Sequence, residues 1–182
     1  MRPTALLAAF TITSVALLAV FGLIDPGWAV WLTGAEHPGY PIAASIDLVG
    51  LDGGTITSDD LRGDILVLEF WATWCGPCIA EIDDYNALQD AYAADGVGVL
   101  GIVVRSGTTA GIEAFAREHG IRYPIAIGDD VVWRDFGPMW GVPTTLLIDR
   151  DWKVRRAWVG AGGSKIEALR ALLDAMLADE RR

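Results

Sequence analysis

The sequence predicts an α/β fold: a central mixed sheet flanked on both faces by helices, opened by a β-hairpin and preceded by one transmembrane helix. Three observations carry this. Apolar β-type runs alternate with stretches of helical periodicity. Two of those runs, 65–70 and 97–104, are apolar on both faces apart from Glu69, so both of their faces need covering. Residues 5–24 form an uncharged apolar stretch of about the length that spans a bilayer.

Met1-Arg2-Pro3-Thr4 is a short basic N-terminus, and residues 5–24 follow as an anchor or signal sequence. The length favours an anchor, because a cleavable signal has a shorter apolar core of roughly 7–15 residues. Thr33-Gly34-Ala35 would still serve as a cleavage site. Arg2 before the stretch and Asp25 after it place the N-terminus in the cytoplasm and the remainder outside. Trp28 and Trp31 suit a membrane interface. Residues 25–44 read as a linker, rich in Gly, Pro and small side chains towards its end, and carry His37.

The folded domain is expected over 45–182. Ile46–Val49 and Thr55–Thr57 flank Asp52-Gly53-Gly54, a hairpin turn signal. Ser58 is placed as the cap of a short turn over 59–61 that Gly63 closes. The strand 65–70 leads into a helix over 79–92 ended by Gly96, and 97–104 is the next strand. A helix over 109–119 ends at His119-Gly120, 123–127 is a short strand, and 131–139 is a short helix interrupted by Gly137-Pro138. Thr144–Ile148 is a strand paired as a hairpin with 153–159. Ser164 is placed as the cap of a final helix presenting Ile166, Leu169, Leu172, Leu173 and Met176 on one face.

Composition narrows the function. A formal net charge of −10 over 182 residues argues against nucleic-acid binding, which favours a basic face. Two cysteines exclude a multi-disulfide scaffold and a four-cysteine zinc site. His37 and His119 would need distant partners to hold a metal, so none is expected.

The two cysteines stand in Trp74-Cys75-Gly76-Pro77-Cys78. A disulfide between them closes so small a ring that it adds little stability, which points to electron exchange instead. The motif falls between a strand and a helix. Helix N-termini offer unpaired N–H groups and a positive dipole end, which favour a thiolate at Cys75. Cys78 lies one turn later on the same side, placed to resolve a mixed disulfide. Glu69 sits six residues before Cys75 on a strand covered on both faces, so its carboxyl should be costly to ionise.

Phe70-Trp71-Ala72-Thr73-Trp74-Cys75-Gly76-Pro77-Cys78 resembles the active-site run of thioredoxin-fold proteins, and Gly141-Val142-Pro143-Thr144-Thr145 resembles their cis-proline segment. From about Ile42 to Leu177 the chain is similar to the membrane-tethered TlpA/ResA-like branch, and 97–127 resembles the β-α unit inserted in that branch. The resemblance implies a thioredoxin-like fold and an extracytoplasmic thiol–disulfide oxidoreductase.

It also implies roles. Pro143 would be cis and lie opposite the cysteines, leaving the Val142 backbone to pair with an extended substrate. Glu69 would accept the Cys78 proton. Glu81 would lie near the substrate groove, tuning the cysteines or recognising a partner, unless it is merely a solvated first-turn carboxylate. Trp74 would form an exposed docking rim, whereas Trp71 reads as core. Gly76 and Pro77 complete the substrate-facing dipeptide that tunes the potential. The loop at Arg105, Ser106 and Gly107 carries no lysine like that near the thioredoxin cysteines.

The expected activity is reduction of client protein disulfides, with cytochrome c maturation or oxidase copper-site cysteines as the client classes. Electrons would come from a membrane thiol reductant of the DsbD/CcdA type. No cofactor is expected beyond the Cys75–Cys78 disulfide. Two alternatives remain at this point: a disulfide oxidase running the same chemistry in reverse, and a copper-binding assembly chaperone, since Cu(I) favours soft thiolates.

Overall fold

The computed structural model describes residues 45–62, 64–136 and 141–181. The expected anchor at 5–24, the expected linker with His37, and the expected interruption at Gly137-Pro138 lie outside them. Among the described residues no helix is long and apolar enough to cross a membrane.

The elements run β1 (Asp47–Gly50), β2 (Thr55–Thr57), α1 (Ser58–Leu61), β3 (Ile65–Trp71), α2 (Gly76–Ala80), α3 (Ile82–Tyr92) and β4 (Val97–Val103). There follow α4 (Thr109–Glu118), β5 (Ile125–Ile127), α5 (Asp130–Asp135), β6 (Thr144–Ile148), β7 (Val154–Val159) and α6 (Gly163–Glu180). One seven-stranded mixed sheet has the order β2-β1-β5-β4-β3-β6-β7. β3, β4 and β5 are parallel neighbours, while β6 runs antiparallel to β3. The predicted hairpins β1–β2 and β6–β7 both form.

All seven residues of β3 are buried, as expected of a strand with helices on both faces. Leu66, Leu68 and Phe70 enter one core, with Ile102, Leu146, Phe136 and Trp152. Ile65 and Val67 enter the opposite core, built with Tyr85 and Leu88 of α3 and Leu169 and Leu173 of α6. Farther along that same face Trp71 packs with Cys75, Cys78, Ile112 and Val103. Each such aliphatic side chain contributes about 1.5–3 kcal/mol by leaving water, so β3 is the strand that both cores share.

Three local expectations are corrected. The cap of α1 is Thr57: its hydroxyl accepts from the Asp60 N–H, and Asp60 answers from the Thr57 N–H. Ser58 is buried instead, and its Oγ accepts from the Ile46 N–H at 2.8 Å. α6 begins one residue before Ser164, after Gly162, with no side-chain cap. Its inward residues are Lys165, Ile166, Leu169, Leu173 and Leu177, while Leu172 points to solvent. The four-residue spacing of Lys165, Leu169, Leu173 and Leu177 is the row that faces the sheet. Finally, the expected 79–92 helix starts earlier, at Gly76, and breaks at Glu81, whose N–H turns to the Cys78 carbonyl three residues back.

Gly101 pairs with Glu69 across β3 and β4. A Cβ there would lie 2.7 Å from Trp71 Nε1 and 3.0 Å from a Tyr123 ring carbon. Gly101→Ala should therefore destabilise the domain by about 1–3 kcal/mol through overpacking. Urea unfolding of the oxidised protein measures this, and an unchanged midpoint would show that the two rings yield freely.

Candidate active site

Cys75 and Cys78 are joined as a disulfide at the start of α2, with Cα atoms 5.3 Å apart. Cys75 is the N-cap of the helix, and its Sγ accepts from the Cys78 N–H at 3.2 Å. Pro77 stands in the first turn, where its missing N–H costs nothing. The same N–H that bonds the sulfur now is poised to stabilise a thiolate there once the pair is reduced. Although it opens the helix, where an attacking thiol would be expected to be exposed, Cys75 is only 4% exposed and Cys78 2%. What faces solvent is the rim, formed by Gly76, Pro77 and Trp74, the last 65% exposed.

Two loops hold that rim. Trp74 Nε1 donates to the Arg105 carbonyl at 2.9 Å, and the Thr73 N–H donates to Ser106 Oγ at 2.9 Å. Arg105 adopts a left-handed φ of 49° and pairs with Asp130 at 2.8 Å. The loop noted for its missing lysine is thus the buttress of the cysteine turn. On the other side the Val142–Pro143 peptide is cis, and Val142 packs on the cluster containing both cysteines. Pro143 is buried and its carbonyl accepts from the Gly160 N–H. No backbone hydrogen bond to Val142 is made among the described residues.

Beneath the cysteines lies a polar seam inside the apolar face. Glu69 is 1% exposed. Its Oε2 accepts from the Tyr123 hydroxyl at 3.3 Å, and its Oε1 has no partner. The Trp71 Nε1, two residues along the same face, is also unpartnered. Neither Glu69 oxygen bonds a cysteine, so a proton moving from Cys78 to Glu69 needs a bridging water. Burial drives the Glu69 pKa up from 4.5 to about 8; the Lys165 charge opposes this, and Glu81 adds to it. Burial also raises the hydroxyl pKa values of Tyr123 and Tyr85.

Glu81 departs from both expectations. It neither lines an open groove nor meets solvent, but is buried and paired with Lys165 at 2.6 Å. Its other oxygen accepts from the Gly162 N–H at 3.0 Å, at the entry to α6. Lys165 Nζ also lies 3.3 Å from Thr145 Oγ1, which shares a 2.6 Å hydrogen bond with the Tyr85 hydroxyl. Sequence reasoning missed Lys165, although a lysine heading an otherwise leucine row was a visible signal. His119, the helix-ending residue expected beside the dipole of α4, caps that helix and stacks on Phe115 at 4.1 Å.

A buried carboxyl whose folded pKa exceeds its unfolded one gives stability that is complete below about pH 4.5 and is lost as pH rises through about 8. Glu69→Gln cannot titrate. The stability of the native protein relative to this variant should therefore fall between those limits, with a slope approaching about 1.4 kcal/mol per pH unit. Urea unfolding of both oxidised proteins across the range decides it; parallel curves would refute the elevated pKa.

The AhpC/TSA family model matches residues 41–157. The thiol-disulfide oxidoreductase ResA of Bacillus thuringiensis (strain Al Hakam) is 32% identical over 130 residues, 70% of this chain and 69% of that protein. A crystal structure described as a thiol:disulfide interchange protein DsbE from Chlorobium tepidum superposes with a TM-score of 0.66 at 29% identity, covering 75% of this chain and 95% of that one. A secreted thiol-disulfide isomerase from Corynebacterium glutamicum gives a TM-score of 0.60 at 27% identity, over 68% of this chain and 78% of that one. With its cysteine pair at a helix start and a cis Val142–Pro143 peptide whose Val142 packs on the same cluster, the chain belongs to the AhpC/TSA family and is a ResA-like thiol–disulfide oxidoreductase of thioredoxin fold.

Proposed function

We propose that this oxidoreductase works outside the cytoplasm, tethered through residues 5–24, and reduces disulfides in client proteins. The observation that carries the reading is the division of the site: buried sulfurs beneath an exposed Trp74, flanked by Val142, whose backbone groups make no backbone hydrogen bond among the described residues. A small oxidant finds little sulfur surface there, whereas an extended protein segment can pair with Val142 and lie against Trp74. Cys75 then attacks the client disulfide, and Cys78 resolves the mixed disulfide while Glu69 takes its proton through a bridging water. A carboxyl with a pKa of about 8 is well matched to a thiol of ordinary pKa, about 8.5.

The apolar N-terminal stretch and its flanking charges support this compartment, and the similar secreted protein from Corynebacterium glutamicum is consistent with it. In an oxidising compartment thiols are lost unless a dedicated reductant maintains them. Cysteines awaiting haem attachment in cytochrome c, or copper in terminal oxidases, are the clients the resemblance favours. A membrane thiol transporter of the DsbD/CcdA type would recharge the Cys75–Cys78 pair.

Direction is settled by the reduction potential of the pair in defined thiol buffers. A value near or below about −270 mV supports a client reductase, and a value near about −120 mV makes the protein a disulfide donor. Cys78→Ser should accumulate mixed disulfides through Cys75, visible on non-reducing gels, and Cys75→Ser should accumulate none. Copper retention by the native protein with no trapped thiol partner would favour the chaperone alternative.

A further inference from the structure

A lysine ammonium buried in an apolar face needs a reason. Lys165 heads the row Lys165, Leu169, Leu173 and Leu177 on α6, where a leucine would continue the packing. The ammonium sits over the Tyr85 ring at 5.6 Å, pairs with Glu81 at 2.6 Å and bonds Thr145 at 3.3 Å. A buried ion pair generally stabilises no better than apolar groups of the same volume, so the fold alone does not ask for it. Thr145 lies directly opposite Glu69 in the β3–β6 register. One β-residue therefore separates the only buried lysine among the described residues from the only buried carboxyl with an unpartnered oxygen.

We propose that Lys165 is a positioning residue of the redox site, whose ammonium, seated on Glu81 and Thr145, sets the pH at which Glu69 takes up the proton released as Cys78 resolves a mixed disulfide. This rests on the reading of Glu69 as the proton acceptor. In that step the Cys78 S–H bond breaks and its proton passes to Glu69. The sulfur electron pair forms the Cys75–Cys78 bond as the substrate thiolate leaves. The substrate has then gained two electrons and the dithiol has lost two.

Among the described residues, the titratable and charged groups set against Glu69 are Tyr123 ahead of β5, Tyr85 on α3, Glu81 at the α2–α3 junction and Lys165 on α6, while the two cysteines pack around Trp71, two residues along the strand. β4 and β6 contribute Gly101 and Thr145 opposite it, neither of which titrates. Lys165 is thus the one cation among these described groups, set against the Glu81 carboxylate. Electrostatics agrees in direction: Lys165 favours the ionised form of Glu69 and Glu81 opposes it.

The test uses the reduced full chain and a symmetrical nitroaryl disulfide that releases one coloured thiolate on attack and a second on resolution. The resolution rate is followed against pH. Lys165→Met should move the midpoint up by about one pH unit, lowering the rate at pH 7 about tenfold, and Lys165→Arg should restore it. Should Lys165→Met fail to fold around an unpaired Glu81, Glu81→Gln is compared with Glu81→Gln/Lys165→Met, and the double variant should show the higher midpoint. Coincident midpoints within either pair, or a rate lowered equally at every pH, overturn the proposal. A Glu69→Gln protein that keeps the native pH profile refutes the proton-acceptor reading itself, whereas a flattened profile in that variant leaves the Lys165 result to be judged alone.

Discussion

A carboxyl group in the middle of a fully buried strand is the constraint around which this domain is arranged. Glu69 occupies the point on β3 where the aliphatic cluster under α3 and α6 meets the aromatic and sulfur cluster under α2 and α4. An isolated ion there would cost far more than the few kcal/mol by which a domain is stable. The surroundings offset that cost only in part, with one tyrosine hydroxyl at 3.3 Å and a lysine one residue away across the sheet. Desolvation wins and the proton stays on near neutrality. The apolar helices that make β3 a stable centre are therefore the same elements that give the carboxyl its chemistry.

The second arrangement is the separation of shape from reactivity. The exposed rim is held by loops: Trp74 is tied to Arg105, and Arg105 is tied to Asp130. The sulfurs sit behind that rim at the first turn of a short helix, where Cys75 Sγ accepts from the Cys78 N–H. The bonds of Thr73 and Trp74 to the 105–106 loop hold the rim beside the disulfide.

Much of this was legible in the sequence, for identifiable reasons. β3, apart from Glu69, and β4 are apolar runs, and the hairpins carry their turn residues, so period and composition sufficed. Cys75, Cys78 and Pro143 stand in short motifs whose spacing survives without knowledge of packing. What escaped depends on partners far apart in the chain. The break of the cysteine helix at Glu81 has no proline or glycine to announce it; it accompanies a bond to Lys165 and Gly162, more than 80 residues away. For the same reason α6 carries no capping hydroxyl, because a carboxylate from another helix meets its entry. Thr57 took the place of Ser58 because two adjacent hydroxyls cannot be ranked until the backbone shows which one is extended.

The Glu81–Lys165 link also bears on the order in which the protein comes into being. Ribosomes deliver β3, both cysteines and Pro143 before α6, and Lys165 follows all of them in the chain. Until it docks, Glu81 has no cation, Thr145 has no ammonium beside it, and the leucine row that seals the cluster under β3 is missing. A nascent chain that already displays Trp74 and its cysteine pair thus lacks the charge balance of the finished site. Maturation of the redox centre waits on the last helix, long after the motif itself has been translated.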